Sequence, residues 1–146
     1  MLDFFKKVFG GVPTFRRPEQ AHPVLGPAVA AARTGDVRPL AAVFASANGD
    51  ENLRFAAIEA CVNNYYVDLP TASATYDAWV AAAPNDLFAR LARSEFHRSK
   101  VPRYNPDDPD VNEKLAEGDR RRALAAADMQ VAERLAPADV LIATMK

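Results

Sequence analysis

Residues 72–86 read ASATYDAWVAAAPND, and they carry the clearest fold signal in the chain. Ala72, Tyr76 and Trp79 stand at offsets 0, 4 and 7, which place them on one face of a helix. Pro84 cannot continue that helix, and the Asn-Asp pair behind it is typical of the start of a new one. The stretch therefore predicts a helix, a short turn and a second helix.

The same pattern occurs a second time, 53 residues further along. Residues 125–139 read AAADMQVAERLAPAD, with Ala125, Met129, Ala132 and Pro137 at the same offsets. A small residue at the first offset lets a neighbouring helix approach closely, and a large apolar residue at the second fills the groove between two helices. Two copies of one helix-and-turn unit indicate a helical repeat.

The two segments resemble the second helix of the tetratricopeptide repeat, which carries an alanine, an aromatic residue further along and a terminal proline. Trp79 departs from the family, which usually has a small residue there, and the motif of the family's first helix is not present in order. The spacing exceeds the repeat's period of roughly 34 residues by about 19. The excess fits an insertion at about 101–119, where three prolines lie.

The stretch 71–104, together with 125–139, is also similar to an uncharacterised family of bacterial helical proteins distantly related to these repeats. The shared features are a tryptophan, an Ala-Pro turn behind it and then a helix rich in arginine and alanine. This resemblance implies a helical fold and no known activity.

Proline and glycine divide the rest of the chain in the same way. Alanine, the best helix former, occupies 29 of the 146 positions, and no stretch alternates as a strand does. The sequence predicts helices over 27–33, 37–47, 51–66, 71–83, 86–100 and 110–136, with Gly118 as a candidate break, and a last apolar segment to Lys146. We expect an all-α fold of stacked antiparallel helix hairpins, α-solenoid-like, with about three hairpins.

The first 26 residues are expected to form a short amphipathic helix and a linker, followed by a single helical-repeat-like domain over 27–146. Apolar residues recur at helical spacing near the start, at Leu2, Phe5, Val8 and Phe9. Such a helix docks on a partner or a membrane surface, or else it packs on its own domain or is a loosely ordered leader. We favour the second pair of alternatives, because amphipathic spacing is mostly a packing signal.

Large apolar residues on the predicted helix faces define the expected core. They are Phe44, Phe55, Ile58, Tyr76, Trp79, Phe88, Leu91, Leu124, Met129 and Leu135. The end of the chain, 138–146, is also apolar, and exposed apolar patches usually become interfaces. We expect this segment to tuck against the preceding helices, with homo-oligomer formation through it as the alternative.

The chain carries 18 basic and 19 acidic side chains, a net charge of −1. This balance argues against a general nucleic-acid or membrane-surface binder. No run approaches the roughly 20 apolar residues of a membrane span, and Lys6-Lys7 interrupts the apolar start, unlike a signal peptide. The sequence predicts a cytoplasmic protein with no membrane span and no nucleic-acid partner.

Few residues carry recognisable chemistry. Cys61 is the single cysteine, so we expect a buried thiol and no disulfide. Residues 108–119 begin like a calcium-binding EF-hand loop but lack its sixth-position glycine and final glutamate. Asp110 with Glu113 fits a helix capping box better. We expect no metal, no cofactor and no catalytic residue.

The charged residues separate into two blocks. Residues 90–103 hold five basic side chains and one acid, whereas 105–119 hold six acids and one base. The basic block forms a groove for an acidic peptide, or the acidic loop folds back and neutralises it. We favour neutralisation, because most charge blocks are solvated surfaces.

By analogy with helical repeats, we expect a non-catalytic module that binds a protein or peptide partner. The first helices of such hairpins line the groove, which points to Arg54, Asn64, Tyr65, Glu95 and Arg98. One alternative is a structural or accessory domain that docks through its apolar N-terminal helix. Another is a small-ligand or enzymatic domain with a site between helices near Tyr65, His97 and Tyr104.

Overall fold

The computed structural model describes residues 17–64 and 68–146, in which every regular element is a helix and no strand occurs. A 3-10 turn, Pro23–Leu25, separates the first two helices. The helices are α1 (Pro18–Ala21), α2 (Gly26–Arg33), α3 (Arg38–Ser46), α4 (Glu51–Asn64), α5 (Leu69–Ala82), α6 (Leu87–Ser99), α7 (Val111–Leu135) and α8 (Val140–Met145). The all-α prediction is confirmed for these residues.

Short polar side chains and glycines set most helix ends. The carboxylates of Asp68, Asp86 and Asp139 each accept a backbone N–H in the first turn of α5, α6 and α8. Helix α5 begins at Leu69, two residues before the predicted start at residue 71, because Asp68 is its cap. Asp110 precedes α7 without capping it and pairs with a lysine instead, so the predicted capping box is absent.

Gly118 does not break α7, which runs unbroken for 25 residues. A β-carbon at this glycine would lie 3.5 Å from Cγ1 of Val101, an ordinary van der Waals distance, so the start of the loop lies close to α7 at this point. The predicted insertion at 101–119 is therefore too long. Residues 101–110 form the loop, and the remainder belongs to α7.

The core surrounds α4 and α6. Helix α4 contacts α2, α3, α6 and α8, whereas α6 contacts α4, α5 and α7. Six of the expected core residues are buried, namely Phe44, Ile58, Tyr76, Phe88, Leu91 and Met129. Leu124 and Leu135 are exposed at 37% and 38%, so their prediction is wrong. The face of α7 that is buried carries Ala125 and Asp128 instead.

An aromatic cluster links α3, α5 and α6. The rings of Tyr76 and Phe96 stack with centroids 4.7 Å apart, and Phe44 meets Phe88 at 5.2 Å. Trp79, expected to be buried, is half-buried at the edge of this cluster, 5.7 Å from Phe88. The tryptophan therefore closes the cluster toward solvent rather than filling its centre.

Both ends of the described chain contact the core. Residues 18–25, expected to lie in a linker, form α1 and the 3-10 turn, and Leu25 at their end is fully buried. The predicted amphipathic helix at the start lies outside the described residues. Leu141, Ile142 and Met145 of α8 are buried, in agreement with a tucked C-terminal segment. Among the described helices, none has the length and hydropathy needed to cross a membrane.

Candidate functional site

A groove of about 390 Å³ opens between α4, α6 and α8, and we call it the central groove. Its apolar part is formed by Phe55, Leu141 and Met145. Its polar lining is Glu51, Asn52, Glu95, Arg98, Ser99 and Thr144. Three helices that are not consecutive in the chain thus supply one mixed surface, which can contact both apolar and hydrogen-bonding groups of a ligand.

Charge in the central groove is dominated by carboxylates. Glu95 lies 3.8 Å from Arg98, whose guanidinium also donates a hydrogen bond to the backbone carbonyl of Met145. Burial and the nearby Glu95 raise the pKa of Glu59, one turn behind the groove on α4. The carboxylates therefore give the groove wall a negative potential, next to one arginine that is hydrogen-bonded to the backbone.

The structure brings together two of the five residues that the sequence selected, Glu95 and Arg98. The side chain of Asn64 and the whole of Tyr65 lie outside the described residues. Arg54 does not line the central groove, and its role as a binding residue stays a prediction. The helix face that it occupies is covered by the turn between α7 and α8.

Arg54 is exposed by only 6%, and it joins α4 to the residue that precedes α8. Its two terminal nitrogens donate to the two carboxylate oxygens of Asp139, at 2.9 and 2.6 Å. The guanidinium also lies over the ring of Phe44, 4.6 Å from its centroid. This pairing holds the pKa of Asp139 below its ordinary value, and the same carboxylate caps α8. Arg54 therefore fixes one wall of the central groove.

A second groove, of about 410 Å³, lies on the other side of Arg98, and we call it the side groove. Helices α6 and α7 and the end of α8 form it. Its apolar floor is Ala125, Ala126, Met129 and Met145, and its polar lining is Ser94, Arg98, Arg122, Gln130, Glu133 and Lys146. Three of these side chains are cations and one is an anion.

The interface between α6 and α7 is held by a buried acid. Asp128, 1% exposed, accepts hydrogen bonds from Arg90 at 2.9 Å and from Arg93 at 2.7 and 2.8 Å. Arg93 also reaches Asp77 on α5 at 3.0 Å. Two arginines of the basic block are thus neutralised by α5 and α7, and not by the acidic loop as expected.

The acidic loop forms its ion pairs locally. Lys114 lies 3.0 Å from Asp108 and 3.1 Å from Asp110. Hydrogen bonds from the Asn105 backbone and Lys114 lower the pKa of Asp108. No grouping of three metal-ligating side chains occurs among the residues that the structure describes. The loop is therefore tied to the first turns of α7.

His97 does not line an open site with Tyr104. It is buried between α6 and α7, and its Nδ1 lies 3.2 Å from Nη1 of Arg121. Burial, followed by the charges of Arg121 and Arg93, lowers the pKa of His97. Nδ1 of the neutral ring accepts a hydrogen bond from the guanidinium of Arg121. Tyr104 lies on the exposed loop, and Tyr65 lies outside the described residues.

Cys61 is buried, as expected, and its Sγ lies 3.6 Å from Oη of Tyr76. Burial raises the pKa of the thiol to about 11. At neutral pH the sulfur is therefore protonated, and a protonated buried thiol is a poor nucleophile.

The sequence matches no protein-family model, and comparison with curated proteins and with solved structures finds no significant similarity.

Proposed function

We propose that this protein is a non-catalytic module that binds a peptide segment of a partner protein in the central groove. We further propose that α2–α3 and α6–α7 are hairpins stacked around α4, with α8 as a closing helix. Helix α4 contacts α6 and α8, whereas α4 and α5 make few contacts with each other in the described part of the chain, so the proposal does not include an α4–α5 hairpin. Stacked helical arrays of this kind form extended concave binding surfaces.

The observation that carries the proposal is the composition of the central groove. An apolar floor of Phe55, Leu141 and Met145 gives a peptide side chain a surface to bury. Amide and hydroxyl groups at its rim can hydrogen-bond to a peptide backbone. Glu51 and Glu95 favour a ligand with a basic side chain, because charge-assisted hydrogen bonds are the stronger ones.

The test compares two substitutions that make the same chemical change at equivalent helix positions. Asn52 lines the groove as the second residue of α4, and the exposed Asn112 is the second residue of α7, away from the groove. Peptides are selected from a displayed random library on the parent protein, and their binding is then measured to Asn52→Arg and Asn112→Arg.

We expect the selected peptides to bind the parent and Asn112→Arg equally, and to bind Asn52→Arg at least about tenfold more weakly, a change of roughly 1.4 kcal/mol. Thermal melting verifies that both variants fold. Peptides that bind all three proteins alike, or a selection that yields no binder, would contradict the proposal.

A further inference from the structure

The side groove combines an apolar floor with an excess of positive charge. Arg98, Arg122 and Lys146 face one acid, Glu133. The whole chain has a net charge of −1, so this local excess is a property of the surface and not of the composition. Charge complementarity therefore selects an acidic ligand.

Two of the three cations of the side groove, Arg122 and Lys146, form exposed ion pairs. Arg122 pairs with Asp119 at 2.9 Å, and both side chains are more than half exposed. Lys146 pairs with Glu133, and its side chain is 56% exposed. Exposed pairs of this kind contribute about 0.2–1 kcal/mol, so a ligand carboxylate can replace the present partner at little cost.

The floor of the groove supplies the apolar contact. Ala125 and Ala126 leave space above α7, and Met129 and Met145 flank that space. Methionine side chains are unbranched and polarisable, so they adapt to ligand side chains of different shape. An apolar ligand residue placed here buries surface, while its acidic neighbours remain within reach of the rim.

The length of the groove limits the size of the ligand. Its lining on α7 extends from Arg122 to Glu133. At about 1.5 Å per residue, those eleven helical steps span roughly 16 Å. An extended peptide covers that distance with about five residues, at about 3.3 Å each.

We propose that the side groove binds a short extended peptide in which acidic and apolar residues alternate, with the apolar side chains on Met129 and Met145 and the carboxylates at Arg122 and its neighbours. The proposal goes beyond the peptide site of the central groove, because it concerns a different surface and a ligand of opposite charge. Arg98 and Met145 line both grooves, so neither of these two residues is substituted in the test.

The probe is an acetylated, fluorescein-labelled hexapeptide in which glutamate and leucine alternate, and the control probe has lysine in place of glutamate. Arg122→Gln removes one cation from the side groove. Arg120→Gln is the matched control, because it removes the same charge from the same helix, and Arg120 also forms an i to i+3 ion pair, with Glu117 at 2.8 Å. Arg120 does not line the groove.

Fluorescence polarisation measures the binding of both probes to all three proteins. We expect the acidic probe to bind the parent and Arg120→Gln alike, and Arg122→Gln about five- to tenfold more weakly. Raising the salt from about 50 to about 300 mM should weaken its binding further, because the contacts are exposed. The lysine probe should bind at least about tenfold more weakly than the acidic one.

Three results would overturn the proposal. One is equal binding of both probes, and another is an equal loss in Arg120→Gln and Arg122→Gln. The third is displacement of the acidic probe by decanoate at equal concentration, which would assign the groove to a fatty carboxylate. The proposal for the central groove is tested by a different variant, Asn52→Arg, and by a different set of peptides. Either proposal can therefore fail while the other one stands.

Discussion

Arg54 and Asp139 form a two-pronged ion pair across 85 residues of sequence, with N–O distances of 2.9 and 2.6 Å. Removing one partner of an enclosed pair leaves the other charge without compensation. Asp139→Asn retains an oxygen that caps α8 but loses the charge. We expect the free energy of unfolding to fall by about 2–4 kcal/mol, measured by urea denaturation.

Asp86→Asn is the control for that measurement. Asp86 caps α6 through the N–H of Ala89, and asparagine serves equally well as a cap. We expect a change of less than about 0.5 kcal/mol. Equal losses in the two variants would mean that the cap, and not the ion pair with Arg54, is what stabilises α8.

Asp128 should contribute more to stability than any exposed acid on the described surface. Asp128→Asn leaves Arg90 and Arg93 facing a neutral amide in a closed interface, and we expect a loss of about 3–5 kcal/mol. Asp77→Asn removes the 63% exposed acid that pairs with the same Arg93, and it should cost less than about 1 kcal/mol. Similar melting temperatures for the two variants would contradict the buried network.

Ile142 tests the packing of α8. Ile142→Ala removes a side chain that is 2% exposed and should destabilise the protein by about 2–5 kcal/mol. Val140→Ala, on the same helix, changes a residue that is 63% exposed and should have almost no effect. If neither variant shifts the denaturation midpoint, α8 does not pack on the core in solution.

His97 should make stability depend on pH. Its pKa in the folded protein is lowered from 6.5, so the unfolded chain binds more protons once the pH falls below about 6.5. The stability that the neutral ring contributes is present above that pH and is lost below it. We expect the melting temperature to fall between about pH 7 and about pH 5.5, and the slope to flatten in His97→Gln. If the melting temperatures of the parent and His97→Gln depended on pH in the same way, His97 would not be the cause of the pH dependence.

Helix content and most helix ends followed from local signals. Proline, glycine and short acidic residues act within one turn of their own position, so a sequence displays them directly. The side of a helix that becomes buried depends on its neighbours. The sequence favoured Leu124 and Leu135 as core residues of α7, but the packed face holds Asp128, whose burial depends on arginines of α6.

The candidate site was predictable only in part, for the same reason. Glu95 and Arg98 lie one turn apart on one helix, so their joint presence in a groove was visible from spacing. Arg54 is also a charged residue on a helix that we expected to be the first of a hairpin. Nothing near Arg54 in the sequence indicates that its carboxylate partner is Asp139. Asp139 was recognisable as the cap of a following helix, but its second role requires the three-dimensional path of the chain.

The ion pair between Arg54 and Asp139 also sets an order of events during synthesis. At translation rates of about 5–20 residues per second, roughly 4–17 seconds separate the two residues. During that interval α4 can pack on α2 and α3, while the guanidinium of Arg54 remains hydrated because Asp139 has not yet been synthesised. The central groove, which needs Leu141 and Met145, does not exist until Asp139 has emerged. A nascent chain can therefore pack α2, α3 and α4 together before it acquires the surface that we propose for binding.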